Sequence, residues 1–256
     1  MASEDSDSGV GPSGKTGEFA LTIGTTGVRF RFPDQPWMRG YTADVLTGKA
    51  YPLPKLPGYQ ASLVLDVGAG VGAAALYFHS RFPNAAVHCY EPFTANFELL
   101  SGNVADFPAI TTHHYGLYDK TAAVPIYAGK VHNYQASIFQ SAETGDSSET
   151  IKLEKTADEI RRLGTGTISV LKVDTEGCEI PIVTEALATA ENIDFIFVEY
   201  HSEENRLALD RLLSQRFLLH AATAKHVHRG ENGYISRALL ERFPGVRMAE
   251  PITPEP

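Results

Sequence analysis

The sequence predicts an α/β fold built on a doubly wound, mostly parallel sheet, and three observations carry that prediction. Strand-like and helix-like runs alternate from Leu63 onward. The runs beginning at Leu63 and Ile193 are almost continuously apolar, as parallel strands covered on both faces are. The first of them ends in Asp66-Val67-Gly68-Ala69-Gly70-Val71-Gly72, a glycine-rich turn leading into a small-residue helix.

Taken in chain order, residues 1–17 are acidic, rich in Ser and Gly, and read as a disordered tail. Within them Gly9 to Thr16 matches the pattern GxxxxGK[ST], but the residues before it cannot form the buried strand that a phosphate loop requires. Phe19–Ile23 and Val28–Phe32 alternate apolar and polar around Gly24 to Gly27, a hairpin signal. Residues 36–50 read as a helix, and Pro52, Pro54 and Pro57 as a stiff connector. Residues 18–60 thus form an N-terminal lead-in or cap.

The main domain is expected over 61–243, followed by a tail at 244–256. Its strands are read near 62–67, 86–90, 110–115, 167–173 and 193–200. Its helices are read near 71–81, 93–103, 156–163, 178–190 and 203–215, with Thr156 to Glu159 as a capping box. Residues 121–153 read as an irregular insertion or short strands. Phe217 to Ile235 reads as two strands turning at Gly230 to Gly233, which adds a C-terminal antiparallel strand.

Composition narrows function. The 256 residues suit one substantial domain, and 43% hydrophobic content can support a buried sheet. A formal net charge of −9 disfavours a nucleic-acid substrate held through phosphates. No run approaches the roughly 18 apolar residues of a membrane span, and the N-terminus lacks a signal pattern. The two cysteines, Cys89 and Cys178, have no metal-ligand spacing. The expectation is a cytoplasmic protein with a small-molecule partner, no nucleic acid and no membrane. An exposed edge strand within 217–236 could support a homo-oligomer.

The glycine turn points to an adenosine-containing cofactor. Glycines allow a tight turn and a close backbone approach to a ligand. Glu91, in Glu91-Pro92, follows at the distance of about 20 residues at which a carboxylate grips ribose hydroxyls. Gly68-x-Gly70-x-x-Ala73 also satisfies the dinucleotide pattern, so an NAD-dependent dehydrogenase is a rival. Asn96, four residues past Pro92, is expected either near the cofactor on the same helix face or as a solvated helix residue.

A second constellation is Leu171-Lys172-Val173-Asp174-Thr175-Glu176-Gly177-Cys178-Glu179, at the end of a strand over the expected crevice. A buried Lys172 needs an ionic partner, for which Glu199 on the next strand is the expected candidate. Asp174 and His201 lie nearer the strand tips, where catalytic groups of such sheets collect.

Asp66 before the glycine turn resembles the fingerprint of methyltransferases that use S-adenosylmethionine, where it would face the methionine ammonium. Together, LDVGAGVG at 65–72, Tyr90-Glu91-Pro92 and LKVDTEGCE at 171–179 resemble the signatures of the FkbM family of methyltransferases. The resemblance covers roughly residues 40–220, with KVDTEG its most specific part. It implies a Rossmann-like class I methyltransferase sheet, S-adenosyl-L-methionine as cofactor, and a hydroxyl on a natural product or sugar as acceptor, in secondary metabolite biosynthesis. Family members commonly have Asn where this chain has Ala69 or Gly70. By the same resemblance Gly116 and Leu117 lie near the adenine.

The implied cofactor set is therefore Asp66, Gly68, Ala69, Gly70, Gly72, Glu91, Pro92, Asn96, Gly116, Leu117 and Asp174. Transfer to an alcohol needs a general base. His201 is the first candidate, because imidazole titrates near neutral pH, and Asp174 is the second. His113, His114 and His132 are alternatives. Mg²⁺ held by Asp174, Glu199 and His201 is left open, although Mg²⁺ prefers oxygen ligands. Aromatic residues Trp37, Tyr41 and Tyr51, with Met38, are expected either to close over the site or to cover the sheet edge. The alternatives for function are N- or carboxyl-methylation, the dehydrogenase, and a ligand-binding protein of this fold without turnover.

Overall fold

The computed structural model describes residues 16–129, 136–139, 144–164 and 166–244. Most of the N-terminal tail, His132 and residues 245–256 lie outside the described residues.

The chain opens with a hairpin, β1 (Thr16–Ile23) and β2 (Thr26–Pro33), then helix α1 (Pro36–Leu46). The hairpin forms where the alternation placed it. Helix α1 stops four residues short of the expected end, because Gly48 adopts φ +78 with its Cα against the Tyr77 ring. Phe30, Phe32, Val45 and Tyr51 are buried in one core with the main sheet, so the lead-in is fastened to the domain.

Next come β3 (Leu63–Val67), α2 (Ala73–Arg81), β4 (Ala86–Tyr90), α3 (Thr94–Asn103) and β5 (Ile110–His113). After a second, smaller sheet the chain continues with α4 (Thr156–Leu163), β10 (Thr167–Val173), α5 (Glu179–Thr189) and β11 (Asn192–Tyr200). It closes with α6 (Glu203–Leu213), β12 (Phe217–His226), β13 (Arg229–Ser236) and α7 (Arg237–Arg242). The seven-stranded sheet has the order β12-β13-β11-β10-β3-β4-β5. All its neighbours are parallel except the two pairs made by β13, which runs antiparallel to both β11 and β12. This is the predicted mostly parallel, doubly wound sheet with one C-terminal antiparallel strand.

Alternate strand residues feed two cores. Val64, Cys89, Val170, Phe195 and Phe197 face α1, α2 and the hairpin, whereas Leu65, Leu171, Val173, Ile196 and Val198 face α4, α5 and α6. From β3 the chain winds outward through β4 and β5, then returns to place β10 on the other side of β3. The strand order reverses at the β3–β10 junction, and beyond the carboxyl ends of these strands lies the crevice where such sheets bind ligands.

Of the two readings of 121–153, the described residues take the strand one: β7 (Ala122–Gly129), β8 (Ala136–Ser137) and β9 (Thr144–Lys155), with β6 (Gly116–Tyr118) before them, form a sheet ordered β6-β9-β7-β8. Pro125 lies in β7 opposite Thr150 of β9, and among the described residues β8 pairs only with Tyr127 and Ala128. Two expectations are corrected. Thr156 to Glu159 is not a capping box. Thr156 is already the first helical residue, its hydroxyl donates to the Tyr118 carbonyl at 2.8 Å, and Glu159 turns to Tyr90 and Arg162. The last hairpin turns at Val227-His228, with His228 at φ +68, rather than at Gly230 to Gly233. Those two glycines lie inside β13, where side chains would meet Tyr200 and Phe197.

Candidate functional site

Beyond Val67 the backbone turns through Gly68, Gly70 and Gly72 at φ +74, +55 and +93. At Gly68 the requirement is spatial as well, since a Cβ would overlap the Asp174 carbonyl oxygen. The N–H groups of Gly68 and Ala69 donate to the Tyr90 carbonyl at 2.9 and 3.1 Å, which ties the turn to the end of β4. Glu91 follows that strand. Its Oε2 accepts from the Gly70 N–H at 2.8 Å and its Oε1 from the Phe93 N–H at 2.9 Å. Burial pushes its carboxyl up to about 7, with the two amide bonds and Lys172 pulling the other way.

A cavity of about 900 Å³ opens over this turn. Such a volume falls in the upper part of the range typical of small-molecule sites. Of the residues expected around a cofactor, Gly68, Ala69, Gly70, Glu91, Pro92, Asn96, Gly116, Leu117 and Asp174 line it. Ile126, Ile151 and Leu153 of the second sheet form an apolar wall beside Gly116 and Leu117. Trp37, Met38, Tyr41, Thr42 and Val45 of α1 close the opposite side.

The other two expected cofactor residues stand elsewhere. Gly72 is the N-cap of α2, backed by Leu100 and Val104, and serves the turn rather than the cavity wall. Asp66 is fully enclosed and paired with Lys172, whose Nζ lies 3.1 Å from Asp66 Oδ1 and 2.6 Å from the Gly68 carbonyl oxygen. Burial works against the Lys172 charge, but Asp66 and Asp174 outweigh it and hold the ammonium firmly protonated. The expected Lys172–Glu199 pair is therefore not made. Strand register explains this: Lys172 stands opposite Asp66 on one side and Phe197 on the other.

Glu199 instead belongs to a charged cluster at the tips of β10, β11 and β13. It stands opposite Glu231 in the β11–β13 ladder, and two cations separate these like charges. Lys225 Nζ contacts Glu231 at 2.6 Å and Glu199 at 3.3 Å, while Arg229 contacts Glu199 at 3.0 Å and Glu176 at 2.8 Å. Lys225, Arg229 and Glu231 were absent from the sequence reading. The available signal was charged side chains on strands that are otherwise largely uncharged.

His201, the first candidate for a base, lies within this cluster and does not line the cavity. Its Nε2 is 3.2 Å from Glu179 and 3.8 Å from Glu199, and its Nδ1 is 3.6 Å from Glu176. Burial lowers its proton affinity, but the carboxylates outweigh burial and raise its pKa to about 9. At neutral pH it is an imidazolium and cannot accept a proton. Asp174 is held below the usual carboxylate range: burial opposes this, and Glu199, Lys172, Lys225 and His201 more than offset it. Glu199 is pushed up to about 8 by burial and by Asp174.

Asp174, Glu199 and His201 each bring a ligand atom to within 4.8 Å of the others. The set does not suit Mg²⁺, because His201 is protonated and Glu199 is already bound by Lys225 and Arg229. Of the alternative bases, His113 is 3.0 Å from His88 and stacked on Tyr90, away from the cavity. His114 stacks on Phe97. Among the described residues no helix is long and apolar enough to cross a membrane.

Comparison with known proteins gives matches at three levels. The Methyltransferase FkbM domain matches residues 66–227. Methyltransferase sdnD of Sordaria araneosa is 23% identical over 172 residues, 55% of this chain, and the chain covers 65% of that protein's length. Aeropyrum pernix fibrillarin, solved with S-adenosyl-L-methionine bound, aligns at a TM-score of 0.48 and 13% identity, over 88% of this chain and 85% of that one. Precorrin-6y C5,15-methyltransferase of Geobacter metallireducens aligns at 0.43 and 11% identity, over 77% and 88%.

Proposed function

This chain belongs to the FkbM methyltransferase family, and from that premise we propose that it transfers a methyl group from S-adenosyl-L-methionine to a hydroxyl oxygen of a small molecule. The observation that carries the donor assignment is Glu91, held by the Gly70 and Phe93 N–H groups at the edge of the cavity. A carboxylate fixed there is placed to accept from both hydroxyls of a ribose. Gly68 and Gly70 leave room for the ligand to lie against bare backbone, while Gly116, Leu117 and the second sheet offer an apolar slot for an adenine. The dehydrogenase reading of the turn is set aside with the family match.

The donor supplies an electrophilic methyl on a sulfonium, so the chain has only to align an acceptor and receive its proton. Asp174 is the proposed proton acceptor. It faces the cavity, stays ionised, and sits beside Glu199, Lys172 and Lys225, which steady its charge. His201 is reassigned from base to positioning residue, holding Glu179 and Glu176 around the loop after β10. Glu179 in turn accepts from the N–H groups of Thr175 and Gly177, fixing the loop that carries Asp174.

A small neutral acceptor is supported by charge. Lys225 and Arg229 line the cavity, but each is held by two carboxylates, which leaves them poorly disposed to grip a phosphate backbone. The net charge of −9 points the same way. Calorimetry with S-adenosylhomocysteine tests the donor: the wild type is expected to bind, and Glu91→Ala to bind at least tenfold more weakly. Absent binding, or undiminished binding in the variant, overturns the assignment. Isotope-labelled donor offered with hydroxylated, amine and carboxylate acceptors then tests the oxygen assignment.

A further inference from the structure

Helix α1 precedes the matched family region, yet it supplies one wall of the cavity. Trp37, Met38, Tyr41, Thr42 and Val45 fall at helical spacing on one face, and that face covers the tips of β3 and β10. Tyr41 reaches deepest into the polar cluster. Its hydroxyl donates to Asp174 Oδ2 at 3.5 Å, and Lys225 Nζ stands 4.7 Å from its ring centroid.

The position of this pair relative to the donor follows from the sheet. Glu91 follows β4, Asp174 follows β10, and β3 runs between them, so the two carboxylates are about two strand spacings apart, roughly 10 Å. A nucleoside with its ribose at Glu91 and its base against Gly116 and Leu117 would have its 5′ substituent on the Asp174 side of the glycine turn. The turn itself touches Asp174, since Gly68 has no room for a side chain against the Asp174 carbonyl. The transferable group would then fall between the turn and the Tyr41–Asp174 pair.

We propose that Tyr41 is a positioning residue for the charged end of the donor: it orients the Asp174 carboxylate, and together they make the site prefer a cationic donor over its neutral thioether product. The inference rests on the donor assignment above. A sulfonium carries a full positive charge and a thioether none, so an anion fixed beside it discriminates between them. Burial, with Asp174 alongside, keeps the Tyr41 phenol protonated, so it acts as a donor that pins one carboxylate oxygen.

The test uses two ligands that undergo no turnover: sinefungin, which carries an ammonium in place of the methyl sulfonium, and S-adenosylhomocysteine. Calorimetry on the wild type is expected to show a preference for sinefungin. Tyr41→Phe keeps the ring and removes only the hydroxyl, so it is expected to reduce that preference about three- to tenfold, the range of an ordinary net hydrogen bond, as befits a 3.5 Å contact. Affinity for S-adenosylhomocysteine and the melting temperature should hold. Asp174→Asn should lose the preference altogether. An unchanged preference in Tyr41→Phe overturns the inference, as does an equal loss of both ligands, which would mark a packing role. If wild type binds neither ligand, the donor assignment itself falls, and this inference with it. The chain's single tryptophan, Trp37, provides a fluorescence check that α1 remains seated in the variant.

Discussion

Lys172 Nζ lies 3.1 Å from Asp66 Oδ1 across the junction where the strand order reverses, with the two side chains 4% and 0% exposed. The same ammonium donates to the Gly68 carbonyl, so one buried ion pair anchors the base of the glycine turn. Removing a single partner from such a pair leaves an uncompensated charge, at a cost of about 3–5 kcal/mol. Lys172→Met is therefore expected to lower unfolding stability by that amount. Lys172→Met combined with Asp66→Leu should recover most of it, because neither charge is then left alone. Urea unfolding of wild type, Lys172→Met, Asp66→Leu and the double variant measures the coupling, and Lys172→Met within about 1 kcal/mol of wild type would refute it.

The partner of Lys172 shows where the sequence was legible and where it was not. That Lys172 is buried and needs an anion follows from its place in an apolar strand. Which anion it finds depends on register: Asp66 and Glu199 both lie on strands next to β10, but only Asp66 comes level with Lys172. Local motifs such as the glycine turn, Glu91 and the hairpin were readable because their chemistry depends on neighbours in sequence. The charged cluster was not, because Glu199, Lys225 and Arg229 are brought together by an antiparallel pairing between distant segments. His201 illustrates the consequence. Its ordinary pKa suggests a base, whereas Glu176, Glu179 and Glu199, from a loop, a helix and a strand, gather around it and raise its proton affinity.

The charge on His201 gives a pH signature in stability. Its folded pKa of about 9 exceeds the unfolded value near 6.5, so its contribution is fully present below about 6.5 and is lost as pH rises through 9. The shift corresponds to a contribution of order 3 kcal/mol at the acid end of that window. Wild type and His201→Gln should therefore differ most at pH 6 and converge toward pH 9.5. A difference that grows with pH would show that the carboxylates do not hold the proton.

The glycines of the turn should fail in different ways. Gly68→Ala combines φ +74 with a collision against the Asp174 backbone, so the turn must rearrange. It is expected to lower stability by at least about 2 kcal/mol and to abolish nucleoside binding. Gly70→Ala also has a positive φ of +55, but its Cβ meets open space. That variant should fold, at a cost of about 1 kcal/mol, and lose affinity because the new methyl intrudes on the ligand's side. Thermal melts with and without S-adenosylhomocysteine separate the two outcomes. Equal melting temperatures for both variants would contradict the close approach at Asp174.

Glu91 predicts two slopes of opposite sign from one group. Its folded pKa of about 7 lies above the unfolded value near 4.5, mainly through burial. Protonation thus favours the folded state: the contribution is intact below about 4.5 and disappears as pH rises through 7, of order 3 kcal/mol in all. Ligand binding runs the other way. Ribose hydroxyls donate, and an ionised carboxylate accepts two of them more strongly than a neutral acid does. Affinity for S-adenosylhomocysteine should therefore climb between pH 5.5 and 7 and level off above, with protons released on binding at the lower end. Glu91→Gln removes the titrating group, so both slopes should flatten in that variant relative to wild type. Calorimetry in buffers of different ionisation enthalpy reads the released protons directly. An affinity that falls as pH rises, or a pH dependence retained in Glu91→Gln, would place the ribose contact on another residue.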